Sequence, residues 1–317
     1  MNKSFALGGN LKIKINKNKA QATAVSIIRL VLLIGLAFII LYPLFLKFVE
    51  SIKSEADNIN PTVVFIPQEP TFENYSIIMK AINYPFTLIY SLLFISIESV
   101  IQAFSCAMVA YGFARFRFRG KNILFAFNML TLIIPPQIML IPIYLRFKYF
   151  GITNVFQFSG SLSGVNLTET ILPFLLLSLT VMAFKNGLYV YLLRQYFAGL
   201  PVELEEAAYI DGCGPIKTFF KIMLPGAVSM LVTVFLFAFV WQWNDQFYAK
   251  ILAPNLPLLI TRIYDMNSKT VPAASNAILQ ALLANAKLIL IILPLIILFV
   301  FAQRFFTESV ERSGITG

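Results

Sequence analysis

Six predominantly apolar stretches, each long enough to cross a bilayer, dominate this chain: residues 26–48, 86–112, 123–145, 171–196, 227–250 and 283–303. A hydrocarbon core of about 30 Å takes roughly 20 apolar residues at about 1.5 Å of helical rise each. Inside lipid the backbone must satisfy its own hydrogen bonds, which leaves helices or a closed barrel. The runs are too long for barrel strands and lack their alternation. They predict an all-α membrane protein, a bundle of six transmembrane helices. Charge content agrees: 13% of the 317 residues are Asp, Glu, Lys or Arg, about half the ~25% of a soluble domain.

The first run follows a polar stretch, carries no small-residue cleavage site and exceeds a signal-peptide core in length, so it is expected to remain as an anchor. The organisation expected is an N-terminal tail over 1–25, a membrane domain over 26–303 and a C-terminal tail over 304–317. Basic residues near the span ends set the orientation. One side collects Lys3, Lys12, Lys14, Lys17 and Lys19, then Arg115, Arg117, Arg119 and Lys121, then Arg194, Lys217 and Lys221, and finally Arg304 and Arg312. The other holds Lys47, Lys53, Lys80, Arg146, Lys148, Lys250, Arg262 and Lys269 over longer loops, diluted by Glu50, Glu55, Asp57, Glu69 and Glu73. A multi-pass protein of the bacterial cytoplasmic membrane with both termini in the cytoplasm is expected.

Several function classes drop out. The net charge of +10 comes from short juxtamembrane clusters rather than a stripe on a soluble domain, so nucleic acid is not the partner; the lipid bilayer is. The chain has no His, and Cys106 and Cys213 offer neither a metal set nor a disulfide in a reducing compartment. No phosphate loop is present, and no polar segment approaches the ~100 residues of a nucleotide-binding domain. No catalytic residue, metal site or cofactor is expected in this chain, and no enzyme activity.

One polar stretch stands apart: "EEAAYIDGCGPIKTFFKIMLP", Glu205 to Pro225. Pro201 suits a first helical turn, and Glu203, Glu205 and Glu206 sit where a helix dipole favours anions. Ala207 and Ala208 make a face without bulk. Gly212 and Gly214 allow a sharp turn, Pro215 starts a second helix, and Pro225 stops it before the next span. Ile216, Phe219, Phe220 and Met223 form an apolar stripe beside Lys217 and Lys221. This helix-turn-helix knob either docks in a groove of a partner or packs under the protein's own helix ends.

Here the sequence resembles a known family. Glu206-Ala207-Ala208, Gly212, Ile222 and Leu224-Pro225 reproduce, without a gap, the EAA loop of bacterial ABC-importer permease subunits. The stretches "AYGFARFRFRGK", "IIPPQIMLIPIY", "LLRQYFAGLPVELEEAAYIDG" and "WNDQF" are similar to the carbohydrate branch, the maltose-type inner-membrane permeases. The resemblance implies a coupling helix over about 200–225, with Glu206, Ala207, Ala208, Asp211, Gly212, Ile222, Leu224 and Pro225 meeting a cytosolic ATPase dimer that binds the ATP and magnesium. It also implies a second permease subunit forming a heterodimer, an extracellular or periplasmic solute-binding protein, and a saccharide moved by alternating access.

Charged and polar groups in the spans mark a candidate path: Glu98, Gln137, Lys185, Asn244 and Asp245. Glu98 and Lys185, each near mid-span, are candidate partners that either line a path or brace two helices. Trp243 reads as part of an interfacial aromatic belt. Pro135-Pro136 is expected to bend or break its span. The Pro-rich segment 49–85 either caps the outer mouth, meets the binding protein or packs over its own span ends. The rival function is a self-sufficient ion-coupled transporter using Glu98 and Lys185.

Overall fold

The helices of the computed structural model follow the apolar runs, and they break where proline, glycine or a left-handed residue interrupts them. The structure describes residues 17–151, 164–266 and 277–314, with side chains over 22–151, 164–266 and 277–303. Lys3, Lys12, Lys14 and Lys269 lie outside these residues, as do the side chains of Arg304 and Arg312. In chain order the helices are α1 (Lys17–Ser51), α2 (Glu55–Ile59), α3 (Glu73–Ile82), α4 (Tyr84–Arg115), α5 (Lys121–Ile133) and α6 (Pro136–Lys148). Then come α7 (Leu172–Leu179), α8 (Asn186–Gly199), α9 (Glu203–Ile210), α10 (Pro215–Thr218) and, after a π-helical turn at Phe219–Met223, α11 (Leu224–Gly226). The last four are α12 (Val228–Trp243), α13 (Phe247–Leu252), α14 (Leu259–Asp265) and α15 (Ala277–Gly314).

The protein is an all-α membrane protein, but only α1, α4 and α15 are unbroken helices of spanning length and apolarity among the described residues. Three of the six expected spans are interrupted. The third is the pair α5 and α6, bent by 106° at Pro135-Pro136. There Ile134 and Pro135 are extended, since a proline disfavours helical φ/ψ in the residue before it. The fourth is α7 and α8, separated by residues 180–185, where Val181 (φ 60°) and Lys185 (φ 65°) are left-handed. The fifth is α12 and α13, separated by residues 244–246, and α12 itself stands at 78° to the preceding segment Pro215–Gly226.

At the centre stands α4, packed against α3, α7, α8, α12 and α14. Ala103, Cys106, Ala107 and Ala110 recur at three- and four-residue spacing, a face of small residues on which Tyr189, Val190, Leu193 and Phe197 of α8 bury completely. Lipid supplies no hydrophobic drive between spans, so such close backbone approach is what holds them. A second core, toward the other end of α4, gathers Tyr75, Phe94, Phe174, Trp243, Leu252 and Leu283. α1 packs along α15 and otherwise faces outward, its Ile27–Leu41 side chains exposed to the bilayer.

Segment 49–85 folds back over the span ends. Lys53, although buried, donates through Nζ to the Val63 carbonyl at 2.7 Å, and buried Asp57 accepts from the Glu69 amide at 2.9 Å. Asn74 Nδ2 donates to the carbonyls of Ser51 and Lys53, both at 3.0 Å. The hydroxyls of Ser51 and Tyr75 lie 2.6 Å apart. Burial raises the Tyr75 pKa above its ordinary value, with the Ser51 contact opposing. These bonds satisfy polar groups that a loose linker would leave in water, so packing over its own ends is what this segment does.

Candidate functional site

A polar stripe runs down one face of α4: Ser91, Glu98, Gln102 and Ser105 are spaced by seven, four and three residues. All four are buried, and the first three line a cavity of about 170 Å³ between α4, the 180–185 break and the end of α12. Lys185, Trp241, Gln242, Asp245 and Tyr248 are among the polar and aromatic residues of its wall. Ser178 Oγ donates to Glu98 Oε1 at 3.3 Å, and Ser105 Oγ donates to the Ser178 carbonyl at 2.5 Å.

An amide chain crosses the bundle beside the cavity. Ser99 Oγ donates to Gln242 Oε1 at 3.0 Å, and Gln242 Nε2 donates to Gln102 Oε1 at 2.5 Å. Gln102 Nε2 in turn donates to the Phe184 carbonyl at 2.9 Å and to Asn186 Oδ1. Three helices, α4, α8 and α12, are thereby tied at one level. Gln102→Leu should lower stability by about 1 kcal/mol, the scale of interhelical hydrogen bonds in membranes. The check is thermal unfolding in detergent, and an unchanged midpoint would show the chain to be energetically idle.

Three of the expected path residues reach the cavity and two do not. Glu98, Lys185 and Asp245 line it. Among the described residues no Glu98–Lys185 ion pair forms. Lys185 Nζ lies instead 4.6 Å from the Trp241 ring centroid and 5.0 Å from that of Phe184, a cation–π seat created by its left-handed φ at the break. Asp245 accepts from the amides of Phe247 and Tyr248 at 3.1 Å, starting α13. Gln137 is exposed, and exposed Asn244 turns back to bond the Val240 carbonyl at 2.7 Å. Trp243 is no belt residue. It is 2% exposed, stacks on Phe239 with centroids 5.7 Å apart, and donates through Nε1 to the Ile291 carbonyl. Gln102, Gln242 and Ser178 were missed; the helical spacing of the α4 stripe was the signal that pointed to that face.

At the opposite end of α4 the EAA loop forms α9, a turn, α10 and the π turn. Gly212 has φ 76°, the left-handed conformation the turn needs, and a Cβ there would meet nothing within 4 Å. The apolar stripe divides. Phe219 and Met223 sink into the core with Tyr111 and Phe197, Phe220 meets Phe104, and Ile216 projects outward, 76% exposed. The packing reading of the stripe thus holds for Phe219 and Met223, and Ile216 is left facing outward. Ala207 and Ala208 separate likewise: Ala208 is buried, while Ala207 stays exposed beside Glu206. Asp211 and Pro225 are exposed, and Ile222 and Leu224 half-buried. α9 is held from below by an ion pair outside the motif, Arg115 Nε to Glu205 Oε1 at 3.4 Å, and by Arg115 Nη2 donating to the Leu200 carbonyl at 2.7 Å.

The family described as binding-protein-dependent transport system inner membrane component matches residues 103–312. The probable ABC transporter permease protein YurM of Bacillus subtilis is 30% identical over 72% of this chain and 68% of its own length. The arabinooligosaccharides transport system permease protein AraQ of Halalkalibacterium halodurans is 29% identical over 89% of this chain and 93% of its own. A crystal structure of a bacterial ABC transporter involved in the import of the acidic polysaccharide alginate contains a chain of the same fold, with TM-score 0.67 at 23% identity, covering 90% of this chain and 98% of that one. An ion-coupled transporter is set aside by this match. The chain belongs to the family of binding-protein-dependent transport system inner membrane components and is a permease subunit of an ABC importer.

Proposed function

We propose that this permease carries a saccharide inward across a bacterial cytoplasmic membrane, with α9 and α10 docking on a cytosolic ATPase dimer and a second, different permease subunit completing the path. The observation that carries the docking reading is the loop's outward face. Glu206, Ala207, Ile210 and Ile216 are exposed together, while Glu205, Ala208, Phe219 and Met223 anchor the loop from behind. An apolar, charge-flanked helical knob on a fixed base is what a groove recognises. ATP and magnesium belong to that partner, and the solute arrives from an external binding protein. Both termini lie in the cytoplasm, on the side favoured by the basic clusters.

The saccharide reading rests on the cavity's chemistry, aromatic walls from Trp241 and Tyr248 with amide, hydroxyl and carboxylate groups between them, and on the arabinooligosaccharides named for its relative. In alternating access the bends at Pro135-Pro136 and at Ala227 would be the joints. There the helical hydrogen-bond ladder is already interrupted, so rotation costs less than breaking a continuous helix. Tyr248 Oη donates to the Pro136 carbonyl at 3.3 Å, linking the first joint to the cavity wall.

The test is purification from native membranes in mild detergent with identification of what accompanies the chain. An ATPase and a second permease are expected with the parent protein. In a Glu206→Lys, Gly212→Asp double variant the ATPase should be lost while the chain still inserts, and Gly212→Asp alone should abolish transport. Retention of the ATPase by the double variant, or transport at the parental rate by the single one, would place docking elsewhere.

A further inference from the structure

The segment Val63-Val64-Phe65-Ile66 has no place in the transport path or the coupling loop, yet it is the most apolar part of 49–85. It is not helical. Val63 is buried and fixed by the bond from Lys53 Nζ to its carbonyl, and the next three side chains point away from the core. Val64 and Phe65 are about half exposed and Ile66 is 82% exposed. In water such a run is costly, because its apolar surface stays hydrated.

Its position supplies the reason. The Phe65 ring lies 6.5 Å from that of Tyr42, which itself stacks on Phe38, so the segment reaches back along the lipid-facing side of α1. The half-exposed Lys47–Glu50 ion pair, at 2.9 Å, marks the polar boundary of α1. Tyr42 lies five residues inward of Lys47, about 7.5 Å along the helix axis. Phe65 is thus held at a depth where α1 already meets the bilayer, and its exposed face continues α1's own. A non-helical backbone needs water for its amides, which keeps it out of the hydrocarbon centre. The headgroup–acyl boundary satisfies both demands, the setting of interfacial aromatic anchors.

We propose that Val64, Phe65 and Ile66 form an interfacial lipid anchor, inserted at the headgroup–acyl boundary of the leaflet at this end of the bundle. The proposal rests on membrane embedding alone and is independent of the saccharide and docking readings. The anchor would pin segment 49–85, and through the Asn74 and Tyr75 bonds α3, at a constant height over the mouth of the bundle.

Depth-dependent quenching tests it on the full-length protein in phosphatidylcholine vesicles. Cys106 is fully buried, so only Cys213→Ser is needed as a background for single bimane labels at Ile66→Cys, at Val64→Cys and, as a water-facing control, at Asn58→Cys. Labels at 66 and 64 should be quenched by a lipid carrying a nitroxide near its headgroup several-fold more, on the order of 3-fold, than the label at 58, and less by iodide present on both sides. Iodide quenching at 66 and 64 equal to that at 58, with no lipid quenching, would overturn the anchor and leave the face open to a protein partner.

Discussion

Arg115→Ala is expected to destabilise the EAA end of the protein by about 3 kcal/mol, at the lower edge of the range for breaking a buried ion pair. Arg115 and Glu205 are 10% and 8% exposed in their side chains, so the carboxylate left behind cannot turn to water. Its neighbours there are the hydroxyls of Tyr111 and Tyr209, neither of which carries the charge that Arg115 supplies. The 3.4 Å separation, long for a charged hydrogen bond, places the effect at the low end. The same substitution frees the carbonyl of Leu200, the residue that ends α8 just before α9. Unfolding midpoints in detergent and limited proteolysis across 200–215 measure the loss. Arg115→Met with Glu205→Leu should recover most of it, because two apolar groups of similar volume need no partner. A single variant that keeps its midpoint and its protease resistance would mean the pair holds nothing.

Gly187→Ala should cost about 1–3 kcal/mol, and Gly187→Leu should separate α5 from α8. A Cβ at 187 would stand 2.5 Å from Thr131 Oγ1 and 2.7 Å from the Asn128 carbonyl, and the second of these is backbone that cannot rotate away. Gly199, at the other end of α8, is the internal control. A Cβ there meets nothing within 4 Å, so Gly199→Ala should be neutral or gain about 0.5–1 kcal/mol from lost unfolded-state freedom. Thermal midpoints of the three variants in one detergent decide the matter. Equal shifts at 187 and 199 would deny that the α5–α8 contact depends on a missing side chain.

The two glycines stand near opposite ends of α8, and nothing in the sequence beside either shows which one is packed against a neighbouring helix. Gly212 is different, because a glycine between two short polar helices announces a left-handed turn, and φ is 76° there. Pro135-Pro136 was equally legible, since two successive residues without an N–H cannot continue a helix, and the pair bends by 106°. The break at 180–185 was not. "TVMAFK" carries neither proline nor glycine, yet Val181 and Lys185 take left-handed backbone. The expected Glu98–Lys185 pair failed for the same reason: the break swings Lys185 onto Trp241 and Phe184.

Composition, run length, the spacing of the EAA motif and the placement of charge determined, before any coordinates, that the chain is a helical membrane protein of the permease family and where its protruding loop lies. These are properties of single helices and turns, set by bilayer thickness and by backbone geometry over a few neighbouring residues. Tertiary structure alone decided which spans are continuous, that Trp243 is core and not belt, that Glu205 rather than Glu206 anchors the loop, and that Gln102, Gln242 and Asn186 join three helices. Each depends on side chains separated by tens of residues or more meeting at one point, and the energy of such a meeting is a function of position in space, which residue spacing along one helix does not encode.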